Sequence, residues 1–256
     1  MRKQSIACGT EIFSQTVASV DLSSRPFKYQ LHPEWDDGAT GNVEPDTYTA
    51  DTIIIATGAK ARRLDLPGEE QYWNHGVSAC AVCDGSLPMF RNKPLVVIGG
   101  GDSAVEESMY LTKKASKVTV LARKPEGKLR ASKANVTRLI EAQKSGKVDI
   151  RYETVATQIV GEEKKGGLMT GVKIKNVATG AEETIEASGL FYAVGHEPAT
   201  GLFKGQLDMD EDGYLLTNPG NAKTNVPGVY AAGDVADKHY RQAITSAGMC
   251  SDCSIV

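Results

Sequence analysis

The sequence predicts an α/β protein built from dinucleotide-binding units, and three observations carry the prediction. Short apolar runs of strand length end on glycine, as in Ile53-Ile54-Ile55-Ala56-Thr57-Gly58 and Leu95-Val96-Val97-Ile98-Gly99, and open parallel sheets bind ligands at the ends of such strands. One glycine-rich turn has a strand before it, and a helix and a second strand after it, which completes a βαβ unit. A length of 256 residues suits two cores better than one, at about 100 to 200 residues per domain.

Composition narrows the function classes. Charged residues make up 24% of the chain and hydrophobic ones 41%, with a net charge of -3, so no nucleic-acid partner is expected. No apolar run approaches the roughly 18 residues of a membrane helix, and no membrane insertion is expected. The start Met1-Arg2-Lys3-Gln4-Ser5-Ile6-Ala7-Cys8-Gly9 is positive but lacks the apolar stretch of a signal peptide, which makes a reducing, cytoplasmic compartment the expectation. Four of the five cysteines form two Cys-x-x-Cys pairs, Cys80 with Cys83 and Cys250 with Cys253. That arrangement favours redox or metal chemistry over the scattered bridges of a secreted scaffold. Ribbon-type zinc sites bring their pairs within about 15 to 20 residues, far less than the separation here, and no metal is expected. Cys8 stands alone and is read as an ordinary thiol.

Along the chain, residues 51–59 read as a fully buried strand that runs into a tight glycine turn. Residues 62–68, with Pro67 and Gly68, read as a linker. Leu95-Val96-Val97-Ile98 is the next strand, Val105-Glu106-Glu107-Ser108-Met109-Tyr110-Leu111 has helical spacing, and Lys117-Val118-Thr119-Val120-Leu121 is the strand after it. Residues 147–152 and 168–174, the latter reached through Gly166-Gly167, are expected to fill out a small mixed sheet. Gly189-Leu190-Phe191-Tyr192-Ala193-Val194-Gly195 is another buried strand ending on glycine, with a domain boundary near it. Val226-Pro227-Gly228-Val229-Tyr230-Ala231-Ala232-Gly233-Asp234 repeats the pattern, a proline-glycine turn feeding a short apolar strand.

The βαβ unit carries the first chemistry. In Gly99-x-Gly101-x-x-Ala104 the glycines allow a tight turn and a close approach to a pyrophosphate, and Ala104 lets helix pack on strand. The helix that opens with Asp102 and Ser103 offers its free N–H groups to the anion. An NAD site would place a carboxylate about 20 residues on. Here the second strand ends in Arg123 and Lys124, with Arg130 beyond, and guanidinium groups pair phosphate oxygens in a bidentate way. NADPH is therefore predicted over NADH, the alternative being a solvated basic turn that also includes Lys128 and Lys133.

The second chemistry lies in Ser78-Ala79-Cys80-Ala81-Val82-Cys83-Asp84-Gly85. Such a pair closes a small disulfide, and a thiol at a helix N-terminus is stabilised as the thiolate that attacks another disulfide. Asp84 adds a carboxyl placed to move the proton of that exchange. Half of a metal site, or two core cysteines, is the alternative.

These motifs together resemble a known family. Ala79-Cys80-Ala81-Val82-Cys83-Asp84-Gly85, Arg91-Asn92-Lys93-Pro94 and Gly99-Gly100-Gly101-Asp102-Ser103-Ala104-Val105-Glu106-Glu107 are similar to the NADPH domain of the low-molecular-weight thioredoxin reductases, class II pyridine nucleotide-disulfide oxidoreductases. Gly233-Asp234-Val235 followed by Tyr240-Arg241-Gln242-Ala243-Ile244-Thr245-Ser246-Ala247-Gly248 resembles their FAD domain. The resemblance implies two dinucleotide-binding, Rossmann-like domains. An NADPH domain over residues 65–194 would be inserted into a partial FAD domain formed by residues 1–64, an incomplete first part, and residues 195–256.

It also implies an enzyme that moves electrons from NADPH through FAD and the Cys80/Cys83 disulfide to thioredoxin, working as a homodimer. In that resemblance Asp234 holds the ribityl chain of FAD, and Arg241, Gln242 and Ala243 lie along the flavin ring. Val17 touches the adenine end and Cys83 is the cysteine nearest the flavin. Linkers near residues 61–68 and 195–198 would let the NADPH domain swing.

Three departures accompany it. The family opens with a βαβ unit whose Gly-x-Gly-x-x-Gly turn holds the FAD pyrophosphate, and no such motif precedes residue 60. An insertion separates Lys124 from Arg130. After Gly248 the family continues into a helix, whereas Met249-Cys250-Ser251-Asp252-Cys253-Ser254-Ile255-Val256 is read as an altered end without that helix, rather than as a second redox pair. Two further functions stand beside the first: an NADPH-binding remnant without flavin, and a flavoprotein serving another dithiol or disulfide acceptor.

Overall fold

A computed structural model describes residues 2–32 and 47–253. The chain divides into two compact units, Met1–Lys60 with Glu197–Val256, and Ala61–His196. The first unit opens with the short α1 (Arg2–Ala7), then β1 (Val17–Asp21), β2 (Phe27–Leu31) and β3 (Thr47–Ala50), paired antiparallel in that order. β4 (Ile53–Ile55) follows, and β5 (Ala59–Ala61) carries the chain onward. The run 51–59 was expected to be a fully buried strand. The run is broken into the three isoleucines of β4 and Ala59 at the start of β5, and Ile54 is 52% exposed. β4 belongs to a two-stranded pairing among the described residues, which covers Ile55 and leaves the alternate side chain outside.

The second unit contains α2 (Glu69–Tyr72), β6 (Val77–Ser78), α3 (Ala81–Asp84), β7 (Pro94–Ile98), α4 (Asp102–Leu111), β8 (Lys117–Ala122), α5 (Lys133–Lys144) and β9 (Val148–Tyr152). It continues with β10 (Thr154–Gly161), β11 (Met169–Asn176), β12 (Glu182–Glu186) and β13 (Gly189–Tyr192). Five strands form an all-parallel sheet in the order β6-β13-β7-β8-β9. The period-2 pleat sends successive side chains to opposite faces. Leu95, Val97, Val118, Val120 and Phe191 meet Val105 and Leu111 of α4 and Leu139 of α5. Val96, Leu121, Leu190 and Tyr192 point the other way, against Ile159 of β10 and Met169, Val172 and Ile174 of β11. The sheet is thus buried on both faces, which is why its strands read as unbroken apolar runs.

The expected small mixed sheet is corrected here. Val148–Tyr152 is the outer strand of the parallel sheet, and Met169–Asn176 is the central strand of a separate antiparallel sheet, β10-β11-β12. The two sequences differ in a way that accounts for the split. In β11 the apolar Met169, Val172 and Ile174 are buried, while Lys173 and Lys175 face outward and Lys175 pairs with Glu182 at 2.9 Å. One covered and one solvated face is the condition under which antiparallel strands are stable.

The chain returns to the first unit through β14 (His196–Pro198), β15 (Val229–Ala231) and α6 (Ala243–Cys253). β15 pairs with β4 in parallel. Ile55, Val229 and Ala231 pack with Phe203, Leu207, Leu215 and Val235. Gln206 ties the two chain segments together: its Oε1 accepts from the Leu22 N–H at 2.8 Å and its Nε2 donates to the Val20 carbonyl at 2.9 Å. Residues 243–253 are helical, which corrects the expectation of an end without a helix. Cys253 and Met249 account for it, spaced one turn apart and packed with Ala222, Tyr230 and Ala232. Among the described residues no helix is long and apolar enough to cross a membrane.

Candidate functional site

The carboxyl ends of β7, β8 and β13 open onto a cleft of about 580 Å³. Its floor is the turn from β7 into α4. Gly99 has no room for a side chain, since a Cβ there would stand 2.5 Å from the Ala193 carbonyl oxygen and 2.8 Å from the Ala104 Cβ. Ala104 is buried against this turn and sets the helix close on the strand. Gly101 is different. Nothing lies within 4 Å of its Cβ position, and the helix N-terminus it caps carries no side-chain cap. Open space in front of uncapped N–H groups is what an anionic group requires.

The cleft walls carry Arg123, Lys124 and Arg130, and also Arg62 and Arg63, but no carboxylate lines it among the described residues. Ser103 is exposed on the first turn of α4. Despite the insertion, Arg130 stays at the cleft, because its N–H donates to the Gly100 carbonyl at 2.8 Å, joined by the Ala131 N–H at 3.2 Å. Asp102 turns its carboxylate toward α5. Oδ1 accepts from the Ser132 N–H at 2.8 Å and from Asn135 Nδ2 at 2.7 Å. These donors, the Ser132 N–H first, hold its carboxyl below the usual range.

Sequence patterning did not find Arg62 and Arg63 as part of the cleft. They reach it because Glu69, buried at 4% exposure, gathers the segment before it. Its carboxylate accepts from the N–H groups of Leu64 at 3.1 Å and Leu66 at 3.3 Å, from Arg63 at 3.4 Å and from the Tyr192 hydroxyl at 2.8 Å. Arg63 also lies over the Trp73 ring, 3.4 Å from its centroid. Burial, then the bond to Glu69, pushes the Tyr192 hydroxyl far above its ordinary value, so it remains a donor. The only advance signal was Glu69 itself, a carboxylate three residues after Leu66 where a helix begins.

In the same unit Cys80 and Cys83 form a disulfide, with Cα atoms 5.3 Å apart. Cys80 caps α3, and its sulfur accepts from the Cys83 N–H at 3.2 Å. Ser78 links the pair to Asp84. Its hydroxyl donates to Asp84 Oδ2 at 2.6 Å and its oxygen accepts from the Cys80 N–H at 3.0 Å. Cys83 is exposed, Cys80 and Asp84 are half-buried, and the apolar Val82 and Leu87 stand in solvent beside them.

The remaining candidates lie in the first unit. Val17 is half-buried at the start of β1. Asp234 follows β15 in a short turn opened by Gly233 at φ +78, and Ser246 of α6 donates to its Oδ1 at 3.4 Å. Arg241, Gln242 and Ala243 form the entry to α6, with Arg241 in the left-handed region at φ 48. That strained residue is held by Asp237, whose carboxylate accepts from the N–H groups of His239, Tyr240 and Arg241 and from the Thr245 hydroxyl. Burial raises the Asp237 carboxyl, but the donors outweigh it and the net shift is downward. Cys250 is an exposed thiol of α6, and Cys253 is buried, donating to the Met249 carbonyl.

Comparison with known proteins places this geometry. The model of the pyridine nucleotide-disulphide oxidoreductases matches residues 4–249. A thioredoxin reductase of Penicillium chrysogenum is 59% identical over 248 residues, covering 97% of this chain and 71% of that protein. One from Neurospora crassa is 60% identical over 249 residues, covering 97% and 70%. Among solved structures, the thioredoxin reductase from Giardia duodenalis superposes with a TM-score of 0.83 at 44% identity, over 99% of this chain and 76% of that one.

Proposed function

The chain belongs to the pyridine nucleotide-disulphide oxidoreductases, and from that premise we propose that it is an NADPH-dependent thioredoxin-disulfide reductase. The observation that carries the reading is the Cys80–Cys83 disulfide, built into the same unit as a cation-lined nucleotide cleft. That unit would be the NADPH domain, residues 65–194 by its motifs, inserted into an FAD domain formed by the chain on either side.

NADPH fits the second unit. The pyrophosphate would lie over Gly99 and Gly101 at the N–H groups of Asp102, Ser103 and Ala104, and Arg123, Lys124 and Arg130 would take the 2'-phosphate. FAD would be held in the first unit by Asp234, Arg241, Gln242 and Ala243, with Val17 at its adenine end. The donor set suits it, since Asp234 offers a half-buried acceptor for ribityl hydroxyls in a turn that leaves no side chain at Gly233. Bound FAD would supply two-electron carriage between the hydride donor and the disulfide.

The chain's own groups handle the sulfur chemistry. Two electrons and two protons open the disulfide to a pair of thiols. The Cys83 N–H favours negative charge on the Cys80 sulfur, and Asp84, joined through Ser78, is placed to hold a proton that exchange must move. One thiolate then attacks a sulfur of the thioredoxin disulfide and the second displaces it. Thioredoxin leaves as a dithiol and Cys80–Cys83 closes again. Exposed Val82 and Leu87 beside Cys83 support docking of a protein acceptor. A homodimer is proposed on the family resemblance alone, and a reducing, cytoplasmic compartment on the cysteine usage.

The purified chain is expected to show a flavin absorption band and to reduce thioredoxin at the expense of NADPH. A colourless chain that binds NADPH without reducing thioredoxin would overturn the proposal in favour of a nucleotide-binding remnant. A yellow chain that reduces only another disulfide would change the acceptor.

A further inference from the structure

The glycine turn and the basic loop would grip opposite parts of one ligand, so their separation has to match the span from pyrophosphate to 2'-phosphate. Exposed basic loops do not hold such a register by themselves. Residues 123–130 are nearly all exposed, and among the described residues their cationic side chains make no ion pair with a carboxylate. What fixes the loop is its far end.

There the Gly100 carbonyl accepts from Arg130 and Ala131, and the Asp102 carboxylate accepts from the Ser132 N–H and the Asn135 side chain. Asn135 is buried at 8% exposure, and each of its polar groups is engaged. Nδ2 donates to Asp102 and, at 3.4 Å, to Glu106, while Oδ1 accepts from Arg138 at 3.1 Å. A buried amide in such a network has one geometry, since any other leaves a polar group unpaired. The strap therefore joins the first turn of α4 to the first turn of α5, with the cationic loop stretched between β8 and that anchor.

We propose that Asp102 and Asn135 are positioning residues for dinucleotide selection, holding the Arg123-to-Arg130 loop where it meets a 2'-phosphate. Asp102 then acts through its carboxylate on the loop rather than on the ligand, which suits a site whose ligand is an anion. The proposal rests on the NADPH reading above. It predicts that the strap governs the preference for a 2'-phosphate, and not general nucleotide affinity.

The test is calorimetric titration of the full chain with NADP+ and, separately, with NAD+. Asn135→Leu, close in size but without donors, should weaken NADP+ roughly tenfold, the scale of one charge-assisted hydrogen bond, and leave NAD+ within about twofold. Asn135→Asp sets a carboxylate against Asp102 and should lose NADP+ in the same way. Adding Asp102→Asn to it restores a donor-acceptor pair and should recover most of the loss, a rescue that a merely structural defect would not give. Equal losses for both nucleotides, or no recovery in the double variant, would overturn the strap. Arg123→Ala with Lys124→Ala separates the two levels. If it lowers NADP+ affinity selectively while the Asn135 variants do not, the strap alone is wrong; if it too is without effect, the 2'-phosphate assignment fails and the strap with it.

Discussion

At the scale of single residues, the chemistry depends on neighbours within a few bonds of each sulfur. The Cys83 N–H reaches the Cys80 sulfur only because Cys80 caps α3, and Asp84 reaches the pair only through Ser78. Replacing either Cys80 or Cys83 by serine should abolish thioredoxin reduction, whereas stopped-flow bleaching of the flavin by NADPH should persist at close to its normal rate. Loss of both steps would contradict a relay that ends on the disulfide. Asp237 offers a second residue-level case, at the entry to α6. Its folded carboxyl is depressed, so the stability it contributes is present above the ordinary value of 3.8 and is lost as pH falls through the lower folded value. Urea midpoints of the parent and Asp237→Asn should therefore differ by a constant amount above about pH 5, begin to close below about pH 4 and converge only below the depressed folded value. A gap independent of pH would assign Asp237 no charge-dependent role.

Elements show why some of this was legible in sequence and some was not. The strand into Gly99, the helix after it and β8 were readable because each signal is local: an apolar run, a glycine that cannot carry a side chain, a change of period. The same holds for Cys80 and Cys83, three residues apart on one turn. The partners of Asp102 were not legible, because Asn135 lies 33 residues away and nothing in its own segment marks it as more than a polar helix residue. Glu69 and Tyr192 are further apart still, at 123 residues. Their contact decides that Arg62 and Arg63 face the cleft. The sheet assignments divide the same way. β11 was legible as a strand reached through the Gly166-Gly167 turn, but which sheet it joins is fixed by what covers it, and that information is tertiary.

For the whole molecule, the main fact is that Ala61–His196 has its own packed layers, helices on one face of the parallel sheet and the antiparallel sheet on the other. Residues 61–196 expressed alone should fold, unfold in urea as a single cooperative transition, and bind NADP+ with an affinity near that of the full chain. A broad, non-cooperative transition would show that this unit depends on the rest of the chain. The ends of the unit are brought together by the Arg62 N–H, which donates to the Gly195 carbonyl at 3.1 Å. That clasp has a consequence for the order in which the protein assembles. The first unit needs Leu22 to find Gln206, 184 residues later, a closure that is slow in an open chain. Once the inserted unit has folded and its ends are clasped, the intervening chain acts as a loop of about 50 residues instead of 184. Shortening it by nearly two doublings lowers the entropic penalty by about 1 kcal/mol, at roughly 0.6 kcal/mol each. Folding should therefore run from the inside outward, with the inserted unit closing before the two flanking segments meet.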